Sequence, residues 1–401
     1  MHDVVIVGGG PGGLHAARLL ARSGFDVAVF EEHPTSGDPV HCTGILAADA
    51  FADFELPRET ILNELRTARF LAPSGHSVCH TTPAVEAVAI DRLAFDRRLF
   101  EAASTQGATL VSGARVIGVE ADAAGVRLLL NSGRTVRSRA CVLACGANYR
   151  LQQRLGMGLP GMFLQSAQME LPLSAPGAGE VEVHVGRSIA PNGFAWVVPV
   201  RRGPSQWCVR LGLMCDRDAT KYFRRFAARV GDRLGIDTGD VGSLRPRCKM
   251  LPLAPIPRTY SDRVLAIGDA AGIVKATTGG GIYYSLLSAE AACRVLDGAL
   301  RTDALDAPRL ARYERIWRSR IGAEIEAQLE LRGIAHRMSD PDIEALFELA
   351  RTDGIMPIVR RTAKFNHHRA LIRAVFRHPP ARRLLFDRLR GRERRMTHAH
   401  D

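Results

Sequence analysis

The sequence predicts a mixed α/β chain: a doubly wound, largely parallel sheet, an antiparallel sheet inserted into it, and a helical C-terminal region. Three observations predict it. The first is Val4 to Glu32, VVIVGGGPGGLHAARLLARSGFDVAVFEE, where an apolar run leads through glycines into a helical pattern and a second apolar run. Short continuous apolar runs bounded by turn residues fit strands buried on both faces of a parallel sheet. The second is the return of such a run far downstream, Val264-Leu265-Ala266-Ile267, again followed by glycines and a helical pattern. The third is the change of character between Leu155 and Pro257, where strand-like runs succeed one another with turns between.

In the first stretch Gly8, Gly10 and Gly13 stand at G-x-G-x-x-G spacing, with Pro11 and Gly12 inside the motif. One glycine makes the strand-to-helix turn, the next lets a pyrophosphate approach the backbone, and the third lets helix and strand pack closely. The helix N-terminus offers free N–H groups and a partial positive charge. Glu31, 23 positions after Gly8 and followed by Glu32, ends the second strand, where a carboxylate can accept from a ribose hydroxyl. A glycine-rich structural turn does not account for Glu31. The pattern is that of a Rossmann-like dinucleotide site, and by itself it fits FAD and NAD(P) equally.

Length and composition set the bounds. A chain of 401 residues, 46% apolar, is long enough for two domains with substantial cores. The first strand begins too early for a signal peptide, and no apolar run approaches the ~18 residues that span a bilayer. The eight cysteines are scattered without a C-x-x-C pair, which points to a reduced, cytoplasmic protein with neither disulfides nor a metal site. The net charge of +12 is concentrated between Arg360 and Arg395, where thirteen Arg and Lys face only Asp387 and Glu393.

Along the chain, His33 to Pro39 is rich in turn residues and leads to Val40-His41-Cys42-Thr43-Gly44-Ile45, expected as a loop running into a helix. Residues 65 to 90 alternate loosely around a hairpin-like turn at Pro73-Ser74-Gly75. A helix follows to about Thr105, with Asp91 placed to cap it and Gly107 to end it. Short strands are expected at 108–112, 116–122, 126–130, 136–139 and 141–144. In the antiparallel segment, Phe194, Trp196 and Val198 share one strand face by period two, which fits a pocket wall or a core-facing ladder alike. Further on come Gly268-Asp269-Ala270-Ala271-Gly272 and Thr277-Thr278-Gly279-Gly280-Gly281, then a helix from Ile282. The Asp269 carboxylate suits ribityl hydroxyls. The helix start at Gly280, Gly281 and Ile282 suits a flavin edge that becomes negative on reduction. The expected organisation is 1–154 and 258–305 for the FAD-binding domain, 155–257 for a substrate domain, and 306–401 for a helical C-terminal region with a basic tail.

These pieces resemble the FAD-dependent reductases and hydroxylases that share the fold of para-hydroxybenzoate hydroxylase. GGGPGG with Glu31, the Asp91-Arg92…Phe95-Asp96 segment and GDAAG at 268–272 carry that likeness. Within the superfamily the chain is most similar to the geranylgeranyl reductase family. HCTG at 41–44 resembles that family's cysteine loop beside the flavin, and TTGGGIYYSLLSAEAA at 277–292 resembles its flavin-end helix. PNGFAWVVP at 191–199 resembles its Tyr-x-Trp-x-Phe-Pro segment, which a Gly-x-Gly follows. There are departures: Phe194 stands for Tyr, Val198 for Phe, Arg210-Leu211-Gly212 for Gly-x-Gly, and Cys145-Gly146 for the Asp-Gly of the hydroxylases.

The resemblance implies FAD as cofactor, held by Gly8, Gly10, Pro11, Gly12, Gly13, Glu31, Glu32, Cys42, Arg98, Gly268, Asp269, Gly280, Gly281 and Ile282. It implies a polyprenyl substrate, a lipid, quinone tail or prenyl diphosphate, against His41, Phe194, Trp196 and Pro199. Cys42 is the candidate for a chemical role, gating or proton relay, set against simple loop anchoring. Hydride would pass from reduced flavin to a C=C bond, with NAD(P)H or a ferredoxin-type redox partner as the open choices of donor. Two other classes stay open: a flavin monooxygenase or halogenase, and a flavoprotein passing electrons to a partner. Residues 360–395 suit a peripheral contact with an anionic membrane or a solvated helical cap. No nucleic-acid-binding fold accompanies their charge, and no nucleic-acid partner is expected.

Overall fold

A computed structural model describes residues 1–173, 179–236, 241–352 and 354–387. The chain forms two compact units: residues 1–60, 90–163 and 251–325, and residues 61–89, 164–250 and 326–401.

The first unit is built on strands β1 (His2–Val7), β2 (Val27–Phe30), β3 (Thr109–Val111), β4 (Thr135–Leu143) and β5 (Val264–Ala266), all paired in parallel in the order β3-β2-β1-β4-β5. This is the doubly wound order of a Rossmann-like sheet. Val4, Val5 and Ile6 are fully buried, as befits central strands of a parallel sheet. Helix α1 (Pro11–Arg22) packs between α2 (Arg92–Thr105) and α3 (Ile282–Arg301). Asp91 caps α2, its Oδ1 accepting from the N–H groups of Leu93 (3.0 Å) and Ala94 (3.1 Å). The two short strands expected at 136–139 and 141–144 are the single strand β4. Its first half pairs antiparallel with Gly125–Leu130 and its second half enters the parallel sheet, so its residue pattern changes period midway. His41 to Ile45 leads into a short strand, Ile45–Ala47, before the helical turn Ala50–Asp53. After α3, the helix Ala307–Trp317 is tied to the sheet end: Tyr313 Oη donates to the Ala266 carbonyl (2.7 Å) and Trp317 Nε1 to Thr259 Oγ1 (3.1 Å).

The second unit holds a seven-stranded sheet in the order Arg247–Pro252, Phe163–Leu173, Trp207–Cys215, Phe194–Arg201, Glu180–Val185, Thr67–Leu71, Ser77–Thr81. The hairpin Thr67–Thr81 was expected with the nucleotide-binding segment. It groups instead with this sheet, because Thr67–Leu71 adds in parallel to Glu180–Val185. Ala195 and Val197 face the helix Ala219–Leu234 and, with Leu211, Leu213, Phe223, Phe226 and Val230, make the core of the unit. Towards the C-terminus, Ile334, Met338 and Leu385 form a small core joined by Ile343, Leu346, Val375 and Phe376. The apolar side of the helix Arg369–Arg377 is thereby spent on the protein, while Arg373 and Arg377 stay exposed. Residues 388–395 of the basic tail lie outside the described residues.

Candidate active site

The glycines of the first motif divide by what surrounds them. Gly8 has φ +109°, and a β-carbon there would sit 2.4 Å from the Ala144 carbonyl oxygen. A β-carbon on Gly13 would sit 2.1 Å from the Gly8 carbonyl oxygen. These two close the turn. Around Gly10 a β-carbon would meet nothing within 4 Å, so this glycine keeps space clear in front of the helix. Helix α1 begins on Gly10 with Pro11 as its first residue, so no side chain at the cap covers its leading N–H groups. Such an end accepts a phosphate.

Glu31 is fixed from two sides. Its Oε2 accepts from the Gly9 N–H (2.6 Å), and its Oε1 accepts from the His33 N–H (2.9 Å) and lies 2.6 Å from His33 Nδ1. A carboxylate has about four acceptor positions, so one stays for a ribose hydroxyl. His33 was not foreseen; its position in a turn-rich loop carries no periodic signal. Glu32 points outward and pairs with Arg115 at 3.3 Å.

The second half of the site meets the first on one side chain. A β-carbon on Gly12 would sit 2.0 Å from Ser285 Oγ, and one on Gly268 2.4 Å from the same atom. Two motifs some 250 residues apart therefore share Ser285 of α3, which the sequence did not single out. Gly268 also donates its N–H to Ser288 Oγ (3.0 Å). The turn after it is held by Tyr149, whose hydroxyl donates to the Asp269 carbonyl, and by buried Gln152, whose Nε2 donates to the Ala270 carbonyl (2.9 Å). The Asp269 side chain lies over the start of α3: a β-carbon on Gly281 would sit 2.4 Å from Asp269 Oδ1. Gly280, Gly281 and Ile282 form that start. A pyrophosphate cradle at α1, an acid at the end of β2 and a second acid over an open helix start form the donor and acceptor set that FAD requires.

Cys42 is half-buried, and its sulfur accepts from the Gly44 N–H at 3.3 Å. Arg92 reaches both Cys42 and Asp96, bonding the Asp96 carboxylate at 2.7 Å. Burial works to lower the Arg92 pKa, but Asp96 and Cys42 outweigh it and hold the guanidinium protonated. The i,i+4 pair Arg92–Asp96 thus ties the cysteine loop to α2. Arg98, expected at the cofactor, is exposed and paired with Glu59 (3.0 Å) and Glu101 (2.9 Å). His41 is exposed at the surface.

In the second unit, Phe194, Trp196 and Val198 face away from the helix that covers Ala195 and Val197. Phe194 and Trp196 are half-buried with ring centroids 5.6 Å apart. Trp196 lies flat on the partner strand: a β-carbon on Gly212 would sit 2.3 Å from its ring. This explains why Gly212 is kept while the position two before it carries Arg210, which is buried and bonded to Glu170 at 2.9 Å. The buried Trp196 Nε1 has no hydrogen-bond partner among the described residues. Pro199 is buried on the opposite face from Trp196.

The family model described as pyridine nucleotide-disulphide oxidoreductase matches residues 2–174. Digeranylgeranylglycerophospholipid reductase 2 of Methanothermobacter thermautotrophicus is 30% identical over 359 residues, 86% of this chain and 90% of that protein. The digeranylgeranylglycerophospholipid reductase of Methanocaldococcus jannaschii is 26% identical over 359 residues, 87% of this chain and 90% of that one. Among solved structures, a geranylgeranyl bacteriochlorophyll reductase-like protein from Thermoplasma acidophilum superposes with a TM-score of 0.79, over 96% of this chain and 98% of that one, at 21% identity. The alternative readings as a monooxygenase or an electron-passing flavoprotein give way to this match, and the chain belongs to the geranylgeranyl reductase family of FAD-dependent oxidoreductases.

Proposed function

We propose that this protein saturates C=C bonds of a geranylgeranyl-type polyprenyl lipid. The observation that carries the reading is the match over 86% of the chain to a reductase named for digeranylgeranylglycerophospholipids, together with an intact set of glycines at the cofactor cradle. FAD supplies hydride chemistry when reduced. The protein's residues bind and orient it. Gly8, Gly10, Gly13 and the α1 start take the pyrophosphate, Glu31 the ribose, Asp269 the ribityl chain, and the α3 start the flavin edge. Trp196 and Phe194 offer a half-buried aromatic face that suits an apolar chain. Cys42 serves as a loop anchor through Gly44 and Arg92.

Among the described residues no helix is long and apolar enough to cross a membrane. The exposed arginines of the C-terminal helices support contact with an anionic lipid surface by charge alone, since their apolar sides are packed. The external reductant is of the nicotinamide or iron–sulfur class.

The test is product mass. Dithionite-reduced protein incubated with a digeranylgeranyl glycerophospholipid should release lipid heavier by two hydrogens per bond reduced. A product heavier by one oxygen would overturn the reading. Truncation after residue 359 should weaken binding to vesicles containing anionic phospholipid; unchanged binding would reject the surface contact.

A further inference from the structure

The loop between Gly272 and α3 encloses a lysine. Lys275 is only 3% exposed. Its N–H donates to the Gly280 carbonyl (3.2 Å), and its own carbonyl accepts from the N–H groups of Thr278 (3.2 Å) and Gly279 (2.8 Å). The loop is closed around it. The side chain runs under the last residues before α3: a β-carbon on Gly280 would sit 3.2 Å from Lys275 Cε and 3.7 Å from Nζ. The Lys275 Cε, with the amine just beyond it, therefore lies on the side of Gly280 where a side chain would project, at the helix start assigned to the flavin edge. Burying an amine in such a place is costly and is found where the charge has work to do.

We propose that Lys275 is a positioning residue for charge: it takes up a proton when the flavin bound at α3 is reduced, and so balances the negative charge of the reduced cofactor. The inference rests on the FAD reading above. Two electrons, from a donor of the nicotinamide or iron–sulfur class, and one proton convert the cofactor to its singly negative reduced form. The Lys275 amine takes a second proton from solvent, and the site ends with the charge it began with. Burial pushes the Lys275 pKa down to about 7, with Asp49 opposing the shift, so the amine titrates where a new neighbouring negative charge can recharge it. The other charged or titratable groups on the surrounding elements are Asp53 and Tyr283, whose side chains bond at 3.4 Å, Asp269 against Gly281, and Arg320, which acts on Tyr283.

The experiment is spectroelectrochemical titration of the FAD-loaded protein between about pH 7.5 and 9, comparing wild type with Lys275→Met and Lys275→Arg. Two protons per two electrons lower the wild-type midpoint potential by about 59 mV per pH unit, against about 30 mV for one proton. Both variants are expected at the smaller slope. Lys275→Arg, which keeps its charge, should lie above Lys275→Met by a tenfold or greater shift in the reduction equilibrium, about 30 mV. A wild-type slope of one proton, or equal slopes in wild type and Lys275→Met, would overturn the inference while leaving FAD binding intact. If neither variant folds, the wild-type slope alone decides. A wild type without bound FAD would instead refute the cofactor reading.

Discussion

The two units hold their chemistry in different ways. In the first, the site is set by where backbone can go: Gly8, Gly12, Gly13, Gly268 and Gly281 each stand where a β-carbon would strike backbone or a neighbouring side chain. In the second, the candidate surface is set by which face of a strand a side chain takes, with Ala195 and Val197 turned to the core and Phe194 and Trp196 turned away. A site of the first kind tolerates almost no substitution. A site of the second kind changes specificity before it loses structure.

The largest effect should come from Gly8→Val. The left-handed φ and the 2.4 Å approach to the Ala144 carbonyl leave no room, and the purified variant should contain no FAD by absorbance. Asp96→Ala should cost about 3–5 kcal/mol in denaturant unfolding, because it leaves the largely buried Arg92 guanidinium without its carboxylate. The double variant Arg92→Met/Asp96→Leu should recover most of that loss. In the second unit, Gly212→Val should displace the Trp196 ring at a cost of about 1–3 kcal/mol. Its FAD content should be unchanged while turnover of polyprenyl lipid falls; loss of FAD would break the contrast between the units.

His15 gives the pH dependence of the first unit. Burial, aided by Arg18, pushes its pKa down to about 3, and both ring nitrogens lack partners among the described residues. A histidine held neutral in the fold contributes full stability above the unfolded value near 6.5, and loses it as pH falls towards 3. At pH 5 the loss should be about 2 kcal/mol relative to pH 7, and His15→Leu should remove it. The smallest effect is expected from Arg98→Ala, where exposed ion pairs are lost and neither FAD content nor melting temperature should move.

What could be read in advance follows the same division. The order strand, Gly8-Gly10-Gly13, helix, Glu31 was legible because each position answers a steric need that only one residue type meets. Asp91 as a cap and the face shared by Phe194, Trp196 and Val198 were legible from local rules of capping and alternation. The Thr67–Thr81 hairpin was legible as a turn at Pro73-Ser74-Gly75, but its place in the second sheet was not, because its partner strand Glu180–Val185 lies more than a hundred residues on and parallel pairing leaves no local mark. Arg92 and Arg98 share a helix, and no sequence rule says which one turns inward to Cys42 and Asp96. Lys275 sits between two glycine motifs, and its enclosure depends on a loop that closes on its own carbonyl. Ser285, which joins the two halves of the cradle, is one small residue on a long apolar helix.

The most direct test of C=C reduction is an anaerobic single turnover. FAD-loaded protein is reduced with one equivalent of dithionite, a digeranylgeranyl glycerophospholipid is added without oxygen, and the flavin absorbance is followed. Reoxidation of the flavin with one C=C bond saturated per flavin is the predicted result. A reduced flavin that persists with the lipid and is reoxidised only when oxygen enters would contradict it.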